Sequence, residues 1–217
     1  MATLQPPRRP PREDVEVRVM TKPQPMEPHG LTGRLFGWVM EKMNAASYRA
    51  AQSRLPKGAD AKLLEIGFGT GALVERLARG GAALVAGVDP SGLMVETAKK
   101  RTAGHTNVDL RLGTAARLPW PDTHFDGAAA LHSFQFWADP AACLAEVARV
   151  LKPGASLVLI LRHHGGGARF AWLPNPLSHL PDEPDAAVTA IGAAGYCDAV
   201  IAGTVGTSKI VTARRGD

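Results

Sequence analysis

Leu63–Leu64–Glu65–Ile66–Gly67–Phe68–Gly69–Thr70–Gly71 is the stretch that decides the fold. Lys62–Ile66 is a short apolar run and reads as a buried strand. Glycines follow at alternate positions, and Gly71–Arg79 reads as a helix stopped by Gly80–Gly81. Glycine here lets the chain turn tightly and lets a ligand approach the backbone. The start of a helix offers free amide groups. In an open α/β sheet, ligands sit at the carboxyl ends of the strands.

The chain on the C-terminal side repeats this alternation. Ala83–Val88 is a second strand, and Ser91 can cap a helix that runs to about Thr102. Asn107–Leu112 and Phe125–Leu131 are further strands, separated by a loop that holds Leu118–Pro119–Trp120–Pro121–Asp122. Pro140–Leu151 is a helix ended by Lys152–Pro153–Gly154, and Ala155–Leu161 is a strongly apolar fifth strand. Gly165–Asp182 reads as a loop, and Pro184–Ala194 as a short helix ended by Gly195. Ala199–Val205 and Ser208–Ala213, separated by Gly206–Thr207, suit a hairpin and therefore an antiparallel edge. Apolar strands alternating with helices predict an α/β, Rossmann-like, doubly wound sheet, mostly parallel, with both faces covered.

On the N-terminal side, residues 1–30 carry seven prolines among polar and charged residues and read as a disordered Pro/Arg-rich arm. Residues 31–58 contain an amphipathic helix from about Leu31 to Arg54, with Leu35, Trp38, Val39, Lys42 and Met43 at helical spacing. It is a packing helix, a lid over a ligand pocket, or both. Residues 59–217 then form the principal domain. At 217 residues the chain is long enough for one core without staples. Its net charge is +5 and its pI near 9.5, but the basic residues are scattered, so nucleic acid is an unfavoured partner. Cys143 and Cys197 have no metal-ligand or disulfide spacing and read as two buried, reduced thiols. No secretory signal or membrane-spanning run is present, which points to the cytoplasm.

Two cofactor classes use a glycine turn of this kind. Gly67, Gly69 and Ala72 fit the dinucleotide pattern G-x-G-x-x-A literally. Glu65 favours the other class. A carboxylate at the end of a buried strand needs a partner, and it would repel a pyrophosphate but attract an ammonium group. S-adenosylmethionine carries an ammonium and a sulfonium and no phosphate. The competing reading is that Glu65 caps nearby amides. Asp89 ends the second strand about twenty residues beyond the glycines, the spacing at which a carboxylate meets ribose hydroxyls. It suits NAD and S-adenosylmethionine alike, and it can also serve as a helix cap before Ser91.

Glu65–Ile66–Gly67–Phe68–Gly69–Thr70–Gly71 followed by Gly87–Val88–Asp89–Pro90–Ser91 resembles the first two motifs of class I S-adenosylmethionine-dependent methyltransferases. Leu118–Pro119–Trp120–Pro121–Asp122 with Phe125–Asp126, and Arg149–Val150–Leu151–Lys152–Pro153–Gly154, resemble the segments before their fourth and fifth strands. The nearest subgroup is the small-molecule type that includes the quinone-biosynthesis C-methyltransferases. The resemblance covers about residues 61–161. It implies a seven-stranded sheet whose last strand is antiparallel. It implies that Gly67, Gly69 and Gly71 line the methionine part of the cofactor and that Asp89, with Pro90 beside it, holds the ribose. Met94 matches a position that packs on adenine, although it also suits plain core. Thr114 stands where many relatives have an Asp bonded to the adenine amine. Its hydroxyl accepts that bond more weakly, and the Ala115 amide can still meet the ring.

Methyl transfer from a sulfonium is an in-line displacement that asks mainly for alignment in a dry pocket. The segment Leu131–His132–Ser133–Phe134–Gln135–Phe136–Trp137 is expected to face the methyl group. His132 is the leading base for an acceptor that must lose a proton, or it lends only its backbone. Phe134 or Trp137 can steady a sulfonium. One of His163 and His164 can enter the pocket, while Phe170, Trp172 and His179 can shape specificity. No metal is expected. The expected activity is methylation of a small molecule. The rivals are nucleic-acid or protein methylation, a nicotinamide-dependent oxidoreductase and a non-catalytic cofactor-binding protein. The oligomeric state, a homodimer included, is left open.

Overall fold

The computed structural model describes residues 44–162 and 183–217. In chain order these are helix α1 (44–54), β1 (Lys62–Ile66), α2 (Ala72–Arg79), β2 (Leu84–Asp89), α3 (Gly92–Arg101), β3 (Val108–Leu112), β4 (Phe125–Leu131), a 3₁₀ turn (Phe134–Phe136), α4 (Pro140–Val150), β5 (Leu151–Arg162), α5 (Glu183–Ala193), β6 (Tyr196–Val205) and β7 (Ser208–Arg215). The N-terminal arm, the first part of the expected lid helix, and His163, His164, Phe170, Trp172 and His179 lie outside the described residues.

Seven strands form one sheet in the order β3-β2-β1-β4-β5-β7-β6. β1 to β5 pair in parallel, and β7 runs antiparallel to both β5 and β6. The chain winds outward from β1 to β3, then returns to place β4 on the other side of β1. The carboxyl ends of β1 and β4 therefore flank the switch point where such sheets bind ligands. The antiparallel C-terminal edge is present as expected, with β7 against β5 and β6 outermost. Ile210, Val211 and Ala213 of β7 are buried, whereas Val200 and Ile201 of β6 are 52% and 40% exposed.

Alternation along the strands divides the core in two. Leu64, Ile66, Ala86, Val88 and Ala130 pack with Leu144 and Val147 of α4 and Ile191 of α5. Leu63, Val85, Ala129 and Ile160 pack on the opposite face with Ala51 of α1, Leu73 and Leu77 of α2, and Val95 of α3. The turn that follows α1 closes over β4 at Gly127, where a Cβ would lie 2.8 Å from Cδ of Pro56. No helix among the described residues is long and apolar enough to cross a membrane.

Three local expectations change. β5 starts at Leu151, directly after α4, because that fully buried side chain already pairs with Phe125. The register then jumps to Gly127 against Ser156, so the Lys152–Pro153–Gly154 breaker sits in a bulge of the strand, with Gly154 at φ 72°. β6 starts at Tyr196, which is buried and donates its hydroxyl hydrogen to the Leu144 carbonyl at 3.0 Å. Cys143 is buried as expected, but Cys197 is exposed because its strand is the edge.

Candidate functional site

The turn between β1 and α2 holds Gly67, Gly69 and Gly71 at φ 75°, 51° and 77°. A side chain is unfavourable at each for backbone reasons alone. Their surroundings differ. A Cβ on Gly67 would stand 2.5 Å from Cβ of Ser133, and one on Gly71 would stand 2.7 Å from Cβ of Ala98. These two glycines allow the ends of β4 and α3 to close on the turn. Gly69 has nothing within 4 Å of that position. Its bare backbone faces open space.

Asp89 is 6% exposed at the end of β2. Its carboxylate accepts the Gly69 amide at 2.8 Å on one oxygen and the Ser91 amide at 2.9 Å on the other. It thus ties the glycine turn to the β2 end. Capping of α3 falls to Ser91, whose hydroxyl accepts the Met94 amide at 3.4 Å. The helix-cap reading of Asp89 gives way to this bridging role.

Glu65 is 2% exposed and pairs in register with Gly87 on one side and Ala129 on the other. Asp89 lies two residues beyond Gly87, so both carboxyl groups share one face of the sheet. Burial, and then the nearby Asp89 charge, hold the Glu65 carboxyl well above its ordinary range, against the Val74 amide, which favours its charged form. The amide-capping reading of Glu65 is therefore partly realised. Its Oε2 nonetheless is buried without a hydrogen-bond partner. Burial also raises Asp89, opposed by its bonds from Ser91 and Gly69.

The segment after β4 is pinned in two places. The Ser133 hydroxyl donates to the Ile66 carbonyl at 2.6 Å, and the His132 amide donates to the Ile160 carbonyl at 2.8 Å. His132 is half-buried with φ 55°, a conformation that side chains seldom adopt. Phe134 is buried, with its ring 5.0 Å from that of Trp137, and both join the α4 face of the core. Phe136, at 63% exposure, is the aromatic left facing outward. Sequence reasoning singled out Phe134 and Trp137 instead, since the phase of a short 3₁₀ turn leaves no periodic signal.

The remaining predicted residues line the β2–β3 side. Pro90 and Thr114 are exposed, Met94 is half-buried and belongs to neither core cluster, and Ala115 is a core residue. The Gly113 amide bonds to the Asp89 carbonyl at 3.1 Å, which brings that loop to the β2 end. Leu93 and Leu112, at 49% and 56% exposure, stand on the same margin and were not anticipated. Their exposure depends on tertiary packing and left no signal in the residue order. Across the fold, Arg149 holds the Leu118–Asp122 strap. It donates to the carbonyls of Leu118 and Trp120 at 2.9 and 3.0 Å and pairs with Asp122 at 2.6 Å.

Residues 64–159 match the methyltransferase domain family. The chain is thus similar to methyltransferases over that stretch, which is under half of its length. A demethylmenaquinone methyltransferase of Tropheryma whipplei is 39% identical over 111 residues, which cover 51% of this chain and 46% of that protein. The chain thus spans about half the length of the curated relatives it matches. An S-adenosylmethionine-dependent methyltransferase from Aquifex aeolicus has the same fold, with a TM-score of 0.68 at 20% identity over 83% of this chain and 97% of that one. The cyclase SpnF shares it too, at TM-score 0.65 and 23% identity over 82% and 83% of the two chains.

The site at the carboxyl ends of β1 and β2 fits S-adenosylmethionine. An orphaned, buried carboxylate oxygen on Glu65 suits an ammonium group, the open face of Gly69 gives a ligand access to the backbone, and Asp89 stands at the β2 end. Among the described residues no group of His, Cys, Asp and Glu is arranged to hold a metal.

Proposed function

We propose that this methyltransferase moves the methyl group of S-adenosylmethionine onto a small-molecule acceptor by in-line displacement. The observation that carries the reading is the trio at the switch point: the unpartnered oxygen of Glu65, the open backbone of Gly69 and the bridging carboxylate of Asp89. Bound there, the cofactor supplies an activated methyl group on sulfur. Glu65 faces its ammonium end, and Gly67, Gly69 and Gly71 line its methionine part. Asp89 and Pro90 hold the ribose. Met94, Thr114 and the amide of Ala115 receive the adenine. The strained backbone of His132 sets the imidazole at the end of β4, where it takes a proton from a hydroxyl or carbon acid during attack.

The small-molecule class is supported by the demethylmenaquinone methyltransferase relative, which is named for such an acceptor. A second reading is a protein that binds the cofactor but methylates nothing, and the cyclase fold neighbour is its support. Thermal unfolding in the presence of S-adenosylmethionine, S-adenosylhomocysteine or NAD is the first test. Stabilisation by the first two alone is expected, and stabilisation by NAD alone would sink the proposal. Transfer of labelled methyl to a quinol, catechol or amine probe then separates an enzyme from a binding protein.

A further inference from the structure

The two carboxyl groups at the switch point are not equivalent. Asp89 receives a backbone amide at each oxygen, whereas the described partner of Glu65 is the Val74 amide, and its Oε2 has none. The charges around Glu65 follow from the elements packed against it. β2 contributes Asp89. β4 contributes Ala129 alongside, with His132 just past the strand end. The first turn of α2 contributes Ala72, Leu73 and Val74, and its Glu75 is engaged by Arg79 and Arg101. A buried carboxylate beside a second carboxylate, with no cation against it among the described residues, is the costliest of the available charge states. Such a pair relaxes by holding one proton, and the proton resides on the group with fewer donors aimed at it.

We propose that Glu65 is protonated and Asp89 ionised in the cofactor-free protein, and that docking of the ammonium group of an S-adenosyl amino acid against Glu65 expels that proton to solvent. One O–H bond breaks, the proton passes to buffer, and an ammonium–carboxylate pair takes its place. The inference rests on the cofactor reading above. It makes cofactor affinity pH-dependent. Below the titration of Glu65, each pH unit weakens binding about tenfold. A ligand with the adenosine part but no ammonium group has no such dependence.

The test is calorimetric titration of the full chain with S-adenosylhomocysteine at about pH 6, in buffers of low and high ionisation heat. The buffers are expected to report close to one proton released per ligand bound. 5′-Methylthioadenosine, which lacks the amino acid, is expected to release none from the same protein. Glu65→Gln is expected to bind S-adenosylhomocysteine more weakly, with no proton release and no pH slope. Equal heats in all buffers for wild type would overturn the inference and leave the cofactor reading standing. So would continued release from Glu65→Gln, since the proton would then come from another group. Should that variant fail to fold, the two ligands on wild type still decide, because release with both excludes an ammonium-driven step. Absence of any S-adenosylhomocysteine binding would bring down the cofactor reading itself.

Discussion

Asp126 and Glu65 lie on neighbouring central strands at opposite ends of the sheet, and they are held in opposite ways. Asp126, at the amino end of β4, accepts the Lys62 amide at 2.9 Å and the Lys152 ammonium at 2.6 Å. Burial alone would raise its carboxyl, but the Lys152 hydrogen bond and the Lys62 amide win and hold it below the ordinary range. Glu65, at the carboxyl end of β1, is more deeply buried and has less to meet it, and its carboxyl is raised. At one end the carboxylate joins two strands. At the other it keeps an unmet bonding capacity that costs the empty protein stability and is available to a ligand. Sequence position does not separate the two roles; the donors that tertiary packing brings up do.

The largest effect is expected within the glycine turn. Gly71→Ala places a methyl 2.7 Å from Cβ and 3.1 Å from Cα of Ala98, at φ 77°. It should cost about 3 kcal/mol in urea unfolding, from combined overpacking and backbone strain. Gly69→Ala meets no atom, so it should cost only about 1 kcal/mol of stability. Because its methyl enters the open face of the turn, cofactor affinity should suffer more than stability. A reversed ranking of the two stabilities would show that steric closure is not what distinguishes these glycines.

Asp89→Ala removes the acceptor for the Gly69 and Ser91 amides and the proposed ribose ligand together. Titration with S-adenosylhomocysteine should show a loss of about 2–3 kcal/mol, or roughly a hundredfold in affinity. Unchanged affinity would remove Asp89 from the site.

Asp126→Ala should cost about 1–2 kcal/mol at neutral pH, mostly through the orphaned Lys62 amide, since Lys152 is half-exposed. The sign of its pH dependence is definite. A depressed carboxyl contributes stability above its unfolded value and loses it as pH falls through the folded one. The variant should therefore converge on wild type in acid.

Glu65→Gln is the mirror image, and in acid, where both side chains are neutral, its effect should be the smallest. A raised carboxyl gives stability that is full below its unfolded value and lost as pH rises through the folded one. Without cofactor, the variant should gain steadily on wild type as pH rises from the unfolded value toward the folded one. Parallel unfolding curves at all pH values would mean that the folded chain does not perturb this carboxyl.

Much of this was legible in residue order. Ser91 as the α3 cap, Phe125–Leu131 as a strand and the two-residue hairpin turn were readable because caps, period and turn chemistry are local. The roles of Phe134 and Phe136 were not. Both are aromatic, two residues apart, and only the docking of the 3₁₀ turn on α4 turns one inward. Gly67 and Gly71 looked alike with Gly69 for the same reason.

Residue periodicity and turn chemistry alone therefore settle the element order, the α/β class and the positions of Glu65, Gly69 and Asp89 at strand ends, because those features depend on neighbours a few residues away. Packing decides what depends on distant partners. β7 enters between β5 and β6, Ser133 reaches the β1 end, and Asp89 spans to Gly69. Glu65 is left with one oxygen unmet because no described side chain from another element arrives to meet it. A carboxylate is the same residue in any sequence, and its charge state belongs to the surroundings that the fold assembles.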